Sequence, residues 1–398
     1  MQRLLAAGPN PRHRLDHVEA LDRAREIFDS CEALVRADLP ADSVLFDVHT
    51  HLGDDIDGMA GSPEELLGML ETHGFAGAFT FCLDEPDRTP AFRAANDRTL
   101  TYAAADQRIV PFVRLDLDDA PLAEAERCLD LGARGIKLHP RAQKFSLGDE
   151  RLAPVFELAA ARQVPLLIHG GRGLPPIADH LGALVERYAG TRLIIAHAGI
   201  ADMAGLASRF SGVPNVYFDT SVWSAIDLLA LFRQVSPEQV LFASDYPYGQ
   251  HPNALLLALR AARLSGLDET QIRGVLGATA VGIAAGAPPP TLTPPRGITA
   301  LVQPLTFARI SHYVAMATPP LWLRTPDAAG GLGLAVNAAL EENAHVEESA
   351  MIRTALVTAA ELLRVAPGIV DDAERRVIAD NAKWLVHIAG VLAATTRA

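Results

Sequence analysis

Eight short apolar runs, each followed by glycine, proline or aspartate punctuation and then by a longer stretch of helical spacing, recur between residues 43 and 245. This alternation constrains the fold more than any other feature, because strand, helix, strand in repetition builds a parallel sheet. The runs lie at 44–49, 77–82, 109–114, 135–138, 165–169, 193–197, 216–219 and 240–245. They are apolar almost without interruption, as strands covered on both faces are. Eight of them within about 200 residues predict an α/β fold closed into a (β/α)8 TIM barrel, with an open doubly wound sheet as the competing arrangement. Helix starts between the runs are marked by Ser62-Pro63-Glu64-Glu65 and Ser236-Pro237-Glu238-Gln239, a serine cap followed by proline and an acidic or amide side chain at the third position.

The flanks read differently. Leu15, Val18, Leu21, Ala24, Ile27 and Phe28 recur at helical spacing, so residues 1–42 are expected as an N-terminal helical extension packed on the outside of a barrel spanning 43–286. In GAPPPTLTPPRG, residues 286–297, five of twelve positions are proline, which blocks helix and strand interiors and marks 287–297 as a stiff connector. Beyond it Leu334, Leu340, Ile352, Leu356, Leu362, Trp384 and Ile388 fit helices, and 298–398 is expected as a small all-helical C-terminal domain.

Composition narrows the partners. The 48 acidic against 35 basic side chains leave a net charge of −13, without a long basic run, so nucleic acid and anionic membrane surfaces are not expected as partners. Cys31, Cys82 and Cys128 are widely spaced with no CxxC, which predicts neither a disulfide framework nor a zinc ribbon and points to a reducing cytoplasm. The apolar stretch at 4–7 is too short for a signal-peptide core, and no run reaches about 18 uninterrupted apolar residues, so neither secretion nor a membrane span is expected.

The chemistry collects at strand ends, which in such a barrel is the active-site face. The first run ends FDVHTHLG, and period two puts Asp47, His49 and His51 on one face. His169 closes PLLIHGG, His197 closes LIIAHAG and Asp245 closes LFASDYPYG. Five imidazole and carboxylate side chains from four strands converging on one mouth predict a divalent metal site. The donor types suit Zn2+ first, with Mn2+, Fe2+ or Co2+ sharing them. No GxSxG elbow and no phosphate-cradling glycine motif occurs, which leaves serine hydrolysis and nucleotide chemistry without support.

FDVHTHLG, Asn96 with DQRIVPFVRLD, GIKLHPR, PLLIHGG, LIIAHAG, VYFDTS and LFASDYPYG, in that order over roughly residues 44–285, resemble the amidohydrolase superfamily. The likeness is to its amidohydrolase-2 group, which includes aminocarboxymuconate-semialdehyde decarboxylase. The resemblance implies one divalent metal held by His49, His51, His169 and Asp245, with His197 facing substrate and metal-activated water. Some members of the wider superfamily carry a modified lysine bridging two metals on the fourth strand, where this chain has Lys137. Lys137 and His139 share a face and, with Arg141 and Arg172, are candidate substrate-binding residues, the arginines as forks for a carboxylate.

Three functions follow as expectations. In the first, a metal-dependent hydrolase cleaves an amide, lactone or related carbonyl of a small molecule, with Asp245 as proton acceptor and His197 orienting water. In the second, the same residues support non-oxidative decarboxylation of an aromatic or unsaturated acid. In the third, the barrel is a catalytically degenerate binding module. Tyr246, Tyr248, Phe145 and Trp223 are candidate walls of an aromatic pocket, and the apolar C-terminal helices suggest a homodimer.

Overall fold

The structure, a computed structural model, describes residues 11–322, 328–341 and 347–396. The apolar stretch at 4–7 and the extremes of the terminal segments therefore lie outside the described residues. The chain is an α/β fold built on one curled nine-stranded sheet. Its strands are β1 (Leu45–Asp54), β2 (Ala60–Gly61), β3 (Phe75–Cys82), β4 (Ile109–Arg114), β5 (Gly135–Leu138), β6 (Pro165–Ile168), β7 (Arg192–Ile195), β8 (Val216–Asp219) and β9 (Val240–Leu241). They lie in the order β2-β1-β3-β4-β5-β6-β7-β8-β9. All neighbours are parallel except β2, a two-residue hairpin partner of β1 that the apolar pattern is too short to reveal.

The eighth run forms a ladder only over Val240–Leu241, yet its continuation reaches back to β1. Val48 N donates to Phe242 O at 3.0 Å, Asp245 N to His49 O at 3.0 Å and His51 N to Tyr246 O at 2.7 Å. One inward-facing set, Phe46, Val48, Phe79, Phe81, Phe112, Leu167, Ile194, Tyr217, Leu241 and Ala243, packs as a buried core. Each such large side chain removed from water contributes about 1.5–3 kcal/mol.

A β-bulge changes one expectation. Between the pairs Asp47–Ala78 and Thr50–Thr80, β1 advances three residues while β3 advances two. The extra residue ends the period-two parity, so Asp47 does not share a face with His49 and His51. Its carboxylate instead accepts from His49 N at 2.9 Å and Ser244 N at 3.1 Å and lies 2.9 Å from Nε2 of the buried His251.

The helix Pro63–Thr72 starts as its sequence predicts, with Ser62 Oγ accepting from Glu65 N at 3.0 Å. Ser236-Pro237 opens only a single 3-10 turn, Pro237–Gln239, and Ser236 Oγ bonds Glu238 instead of capping.

The chain divides into two compact units, one of Leu39–Val222 with Asp227–Thr299, the other of Met1–Asp38, Trp223–Ile226 and Ala300–Ala398. In the first, the proline-rich stretch is tied down: Thr293 N donates to Glu238 Oε2 at 2.9 Å and Gln271 Nε2 to Thr293 Oγ1 at 3.1 Å. In the second, helices Leu305–Trp322, Ala328–Glu341, Glu347–Val365 and Asp372–Thr395 pack on one another. The helix Pro11–Asp38, expected against the barrel, packs on Glu347–Val365 and Asp372–Thr395. It buries Ala20, Ala24, Ile27, Cys31 and Val35, one stripe at helical spacing, and Arg23 pairs with Glu361. Asp372–Thr395 is long and apolar enough to cross a membrane by length and composition, and it is mostly buried among these helices, as core helices are. Trp223 belongs to this unit, stacked on His387 at 4.5 Å and edge-on to Trp322 at 4.7 Å.

Candidate metal centre

The inward-facing rows end in polar groups. Arg114 stands two positions beyond Phe112, His169 beyond Leu167, Asp219 beyond Tyr217 and Asp245 beyond Ala243, so the strand period that points the apolar residues into the core points these to the same side one layer higher. His49 and His51 join them because of the bulge.

Three candidate ligand atoms, two from β1 and one from the segment that follows β9, form a triangle. His49 Nε2 and His51 Nε2 are 3.2 Å apart, His49 Nε2 and Asp245 Oδ1 3.2 Å, and His51 Nε2 and Asp245 Oδ1 3.3 Å. A tetrahedral cation with ligands at about 2.0–2.1 Å has edges of about 3.3–3.4 Å, so the triangle is close in size to one face of such a polyhedron. His49, His197 and Asp245 likewise bring their donor atoms within 4.8 Å of one another.

The hydrogen-bond network fixes where the lone pairs point. His49 Nδ1 donates to Asp219 Oδ2 at 2.7 Å, leaving the Nε2 lone pair toward the triangle. Ser221 O lies 2.9 Å from His197 Nδ1, which donates to it, and His197 Nε2 then accepts from His169 Nδ1 at 3.0 Å. Among the described residues, His169 Nε2 is left buried with its lone pair and no partner, and His51 Nδ1 is buried without one. Burial holds the imidazoles of His49, His51, His139 and His169 well below the ordinary histidine range, so they are neutral, the form that ligates metal. Burial lowers His197 as well, against the opposing pull of Asp219.

Backbone strain marks the same place. His197, Ala198 and Asp245 have φ of +58°, +53° and +60°. Left-handed residues other than glycine cost about 1–2 kcal/mol each and persist where surrounding structure dictates them. Two glycines permit the tight geometry. A Cβ on Gly171 would lie 2.8 Å from His169 Cε1 and from His197 Cδ2, and one on Gly249 would lie 1.9 Å from Ser244 O in the turn after Asp245.

The other sequence candidates fall unevenly. Lys137 is buried, its Nζ 3.3 Å from His49 Nε2 and 4.5 Å above the Phe81 ring. Burial lowers its ammonium to about 7, against the raising effect of Asp219 and Asp245. His139 stacks on His169 at 3.9 Å while its Nδ1 accepts from Ala142 N at 3.1 Å and caps the short helix Pro140–Gln143. Arg141 and Arg172 are both exposed, and Arg172 acts electrostatically on Asp227. Tyr248 stands edge-on to His51 at 5.8 Å, whereas the Tyr246 hydroxyl turns away to Glu65 Oε2 at 3.0 Å.

Two residues went unassigned in the sequence reading. Asp219 is fully buried and, besides His49, accepts from His197 N at 2.7 Å, Ser221 N at 3.0 Å and Ser221 Oγ at 2.5 Å. Arg114 is 2% exposed. Both close predicted strands, and that position was the available signal.

Among solved structures the chain is similar to 5-carboxyvanillate decarboxylase from Sphingomonas paucimobilis, with 18% identity over 61% of this chain and 99% of that one and a TM-score of 0.46. It is similar to 4-oxalomesaconate hydratase from Rhodopseudomonas palustris, with 16% identity, 61% and 96% coverage and a TM-score of 0.46. A dihydroxybenzoic acid decarboxylase from a Polaromonas species with bound manganese shows 16% identity, 61% and 97% coverage and a TM-score of 0.49. No curated protein matches in sequence. The sequence profile of the amidohydrolase family matches residues 46–282, more than half of the chain, and the chain belongs to that family of enzymes, the amidohydrolase-2 group.

Proposed function

We propose that the curled sheet is a (β/α)8 barrel whose mouth binds one divalent cation, Zn2+ first among those the donor types suit, and that the protein is a hydrolase of an amide, lactone or related carbonyl. The observation that carries this reading is the triangle of His49 Nε2, His51 Nε2 and Asp245 Oδ1 with edges of 3.2, 3.2 and 3.3 Å. Imidazole lone pairs and a carboxylate facing one another at that spacing are a cradle for a positive charge. His169, with its orphaned buried Nε2, is the proposed fourth holder.

A divalent cation bound there lowers the pKa of water toward about 7 and polarises a carbonyl oxygen. The chain's own residues do the rest. Asp219 holds His49 in the tautomer that presents Nε2. Asp245, its side chain 20% exposed and therefore the open member of the triangle, is placed to take a proton from the attacking water. His197, anchored by Ser221 O and by its own backbone N–H to Asp219, orients His169 and faces the reacting group. Lys137, its ammonium lowered by burial, stands beside His49 with Nζ 3.3 Å from Nε2. This intact donor set favours catalysis over a degenerate binding module.

The test is turnover of a panel of lactones, amides and carboxylic acids in 18O-labelled water. Hydrolysis incorporates solvent oxygen into product, and Asp245→Asn keeps the fold while losing most turnover. Wild-type rates in Asp245→Asn refute the role given to Asp245. Release of CO2 without solvent oxygen in product selects the second reading, decarboxylation, which the buried Arg114 favours.

A further inference from the structure

Among the described residues, Arg114 is a buried cation without an anion. Its guanidinium offers five N–H donors. Among the described residues a single hydrogen bond uses them, Nη1 to Cys82 O at 3.3 Å, and Nε is buried without a partner. The Phe92 ring lies beneath it at 4.9 Å. A guanidinium removed from water and left with one long hydrogen bond is costly unless a further acceptor arrives.

Its direction is set by the sheet. Arg114 pairs in register with Lys137 across β4 and β5, so the two side chains leave the same face on adjacent strands. Lys137 Nζ reaches His49 Nε2 at 3.3 Å, which identifies that face as the one carrying the triangle. Asn96 fixes the position: its Nδ2 donates to Arg114 O at 3.0 Å and its Oδ1 accepts from Arg114 N at 3.0 Å, while Glu124 Oε1 accepts from Nδ2 at 3.0 Å. Arg114 and Lys137 are thus held side by side on the face that carries the imidazoles.

We propose that Arg114 binds a carboxylate of the substrate, which makes the substrate a small carboxylic acid whether the bond cleaved is to a carbonyl or to CO2. The planar fork of a guanidinium matches a carboxylate with two parallel hydrogen bonds. Arg141, in the short helix Pro140–Gln143, and Arg172 are exposed, so their guanidiniums stay hydrated and have less need of an anion. This inference rests on the mouth being the substrate site, as proposed above.

The experiment titrates zinc-loaded protein calorimetrically with formate, acetate and benzoate, each against its amide, and with inorganic phosphate. Wild type is expected to bind at least one acid about tenfold tighter than its amide, and Arg114→Met to lose that preference while still taking up zinc. Arg114→Lys, which keeps the charge and loses the fork, is expected to retain only part of it. Undiminished preference in either variant overturns the proposal, as do equal affinities for acid and amide in wild type or a preference for phosphate alone. Where Arg114→Met does not fold, Arg114→Lys decides. Failure of wild type to take up zinc refutes the metal reading instead, and the acid-against-amide comparison on the metal-free protein still decides this one.

Discussion

Replacing Asp219 by Asn changes one oxygen to an amide and leaves shape intact, yet it strikes the tautomer on which the metal reading depends. Asp219 Oδ1 accepts from His197 N at 2.7 Å and Ser221 N at 3.0 Å, and Oδ2 from His49 Nδ1 at 2.7 Å. With the Asn oxygen kept on the backbone donors, its NH2 faces His49 Nδ1, donor against donor. His49 then moves its proton to Nε2 and presents a hydrogen to the triangle. With the amide reversed, NH2 faces two backbone N–H groups, which is worse. A charge-assisted hydrogen bond is worth about 1.5–3 kcal/mol. Loss of the carboxylate that orients a ligating imidazole lowers metal affinity by about 10–100-fold, or about 1.4–2.7 kcal/mol, and the two routes agree. Competition between the protein and a chelator of known zinc affinity measures it, with circular dichroism confirming the fold. A zinc affinity for Asp219→Asn within about twofold of wild type would refute the reasoning.

Other consequences follow from the same geometry. Gly171→Ala places a methyl 2.8 Å from both His169 Cε1 and His197 Cδ2; zinc affinity should fall with little change in far-ultraviolet signal, and an unchanged affinity would show that those rings need not stay where they are. His387, buried in the helical unit, has its imidazole lowered to about 4, chiefly by burial. Its folded value lies below the unfolded one near 6.5, so its contribution is complete above about 6.5 and is lost as pH falls toward 4, by roughly 3 kcal/mol. His387→Met should flatten that acid limb in melting temperature against pH; a limb parallel to wild type counts against it.

The fold was legible to the degree that side-chain period carries it. The apolar runs of β3 to β8 gave strand positions to within a residue or two, because a strand covered on both faces has no polar interruption. What period two missed is the residue that breaks it: nothing in FDVHTHLG marks the bulge that turns Asp47 to His251 and leaves the histidines inside. The site shows the same division. Histidines stand out at strand ends because they are rare there, whereas Asp219 and Arg114 read as the onset of polar loops, although each lies two positions past an inward-facing aromatic. Arg141 and Arg172 drew notice for their closeness in sequence to His139 and His169, and burial is what separates them from Arg114. The helix Pro11–Asp38 gave a correct stripe but no address, since a stripe of alanine and isoleucine fits a helix bundle as well as a barrel's exterior.

In the proposed enzyme the triangle of His49, His51 and Asp245 holds a cation. Metal content per chain, read by inductively coupled plasma mass spectrometry on protein purified without added metal or a chelating tag, tests that directly when wild type and His49→Ala are measured together. About one equivalent of a divalent metal in wild type, lost in His49→Ala, is the predicted result. Wild type that carries no metal and takes none up on reconstitution, or His49→Ala that holds as much as wild type, would contradict it.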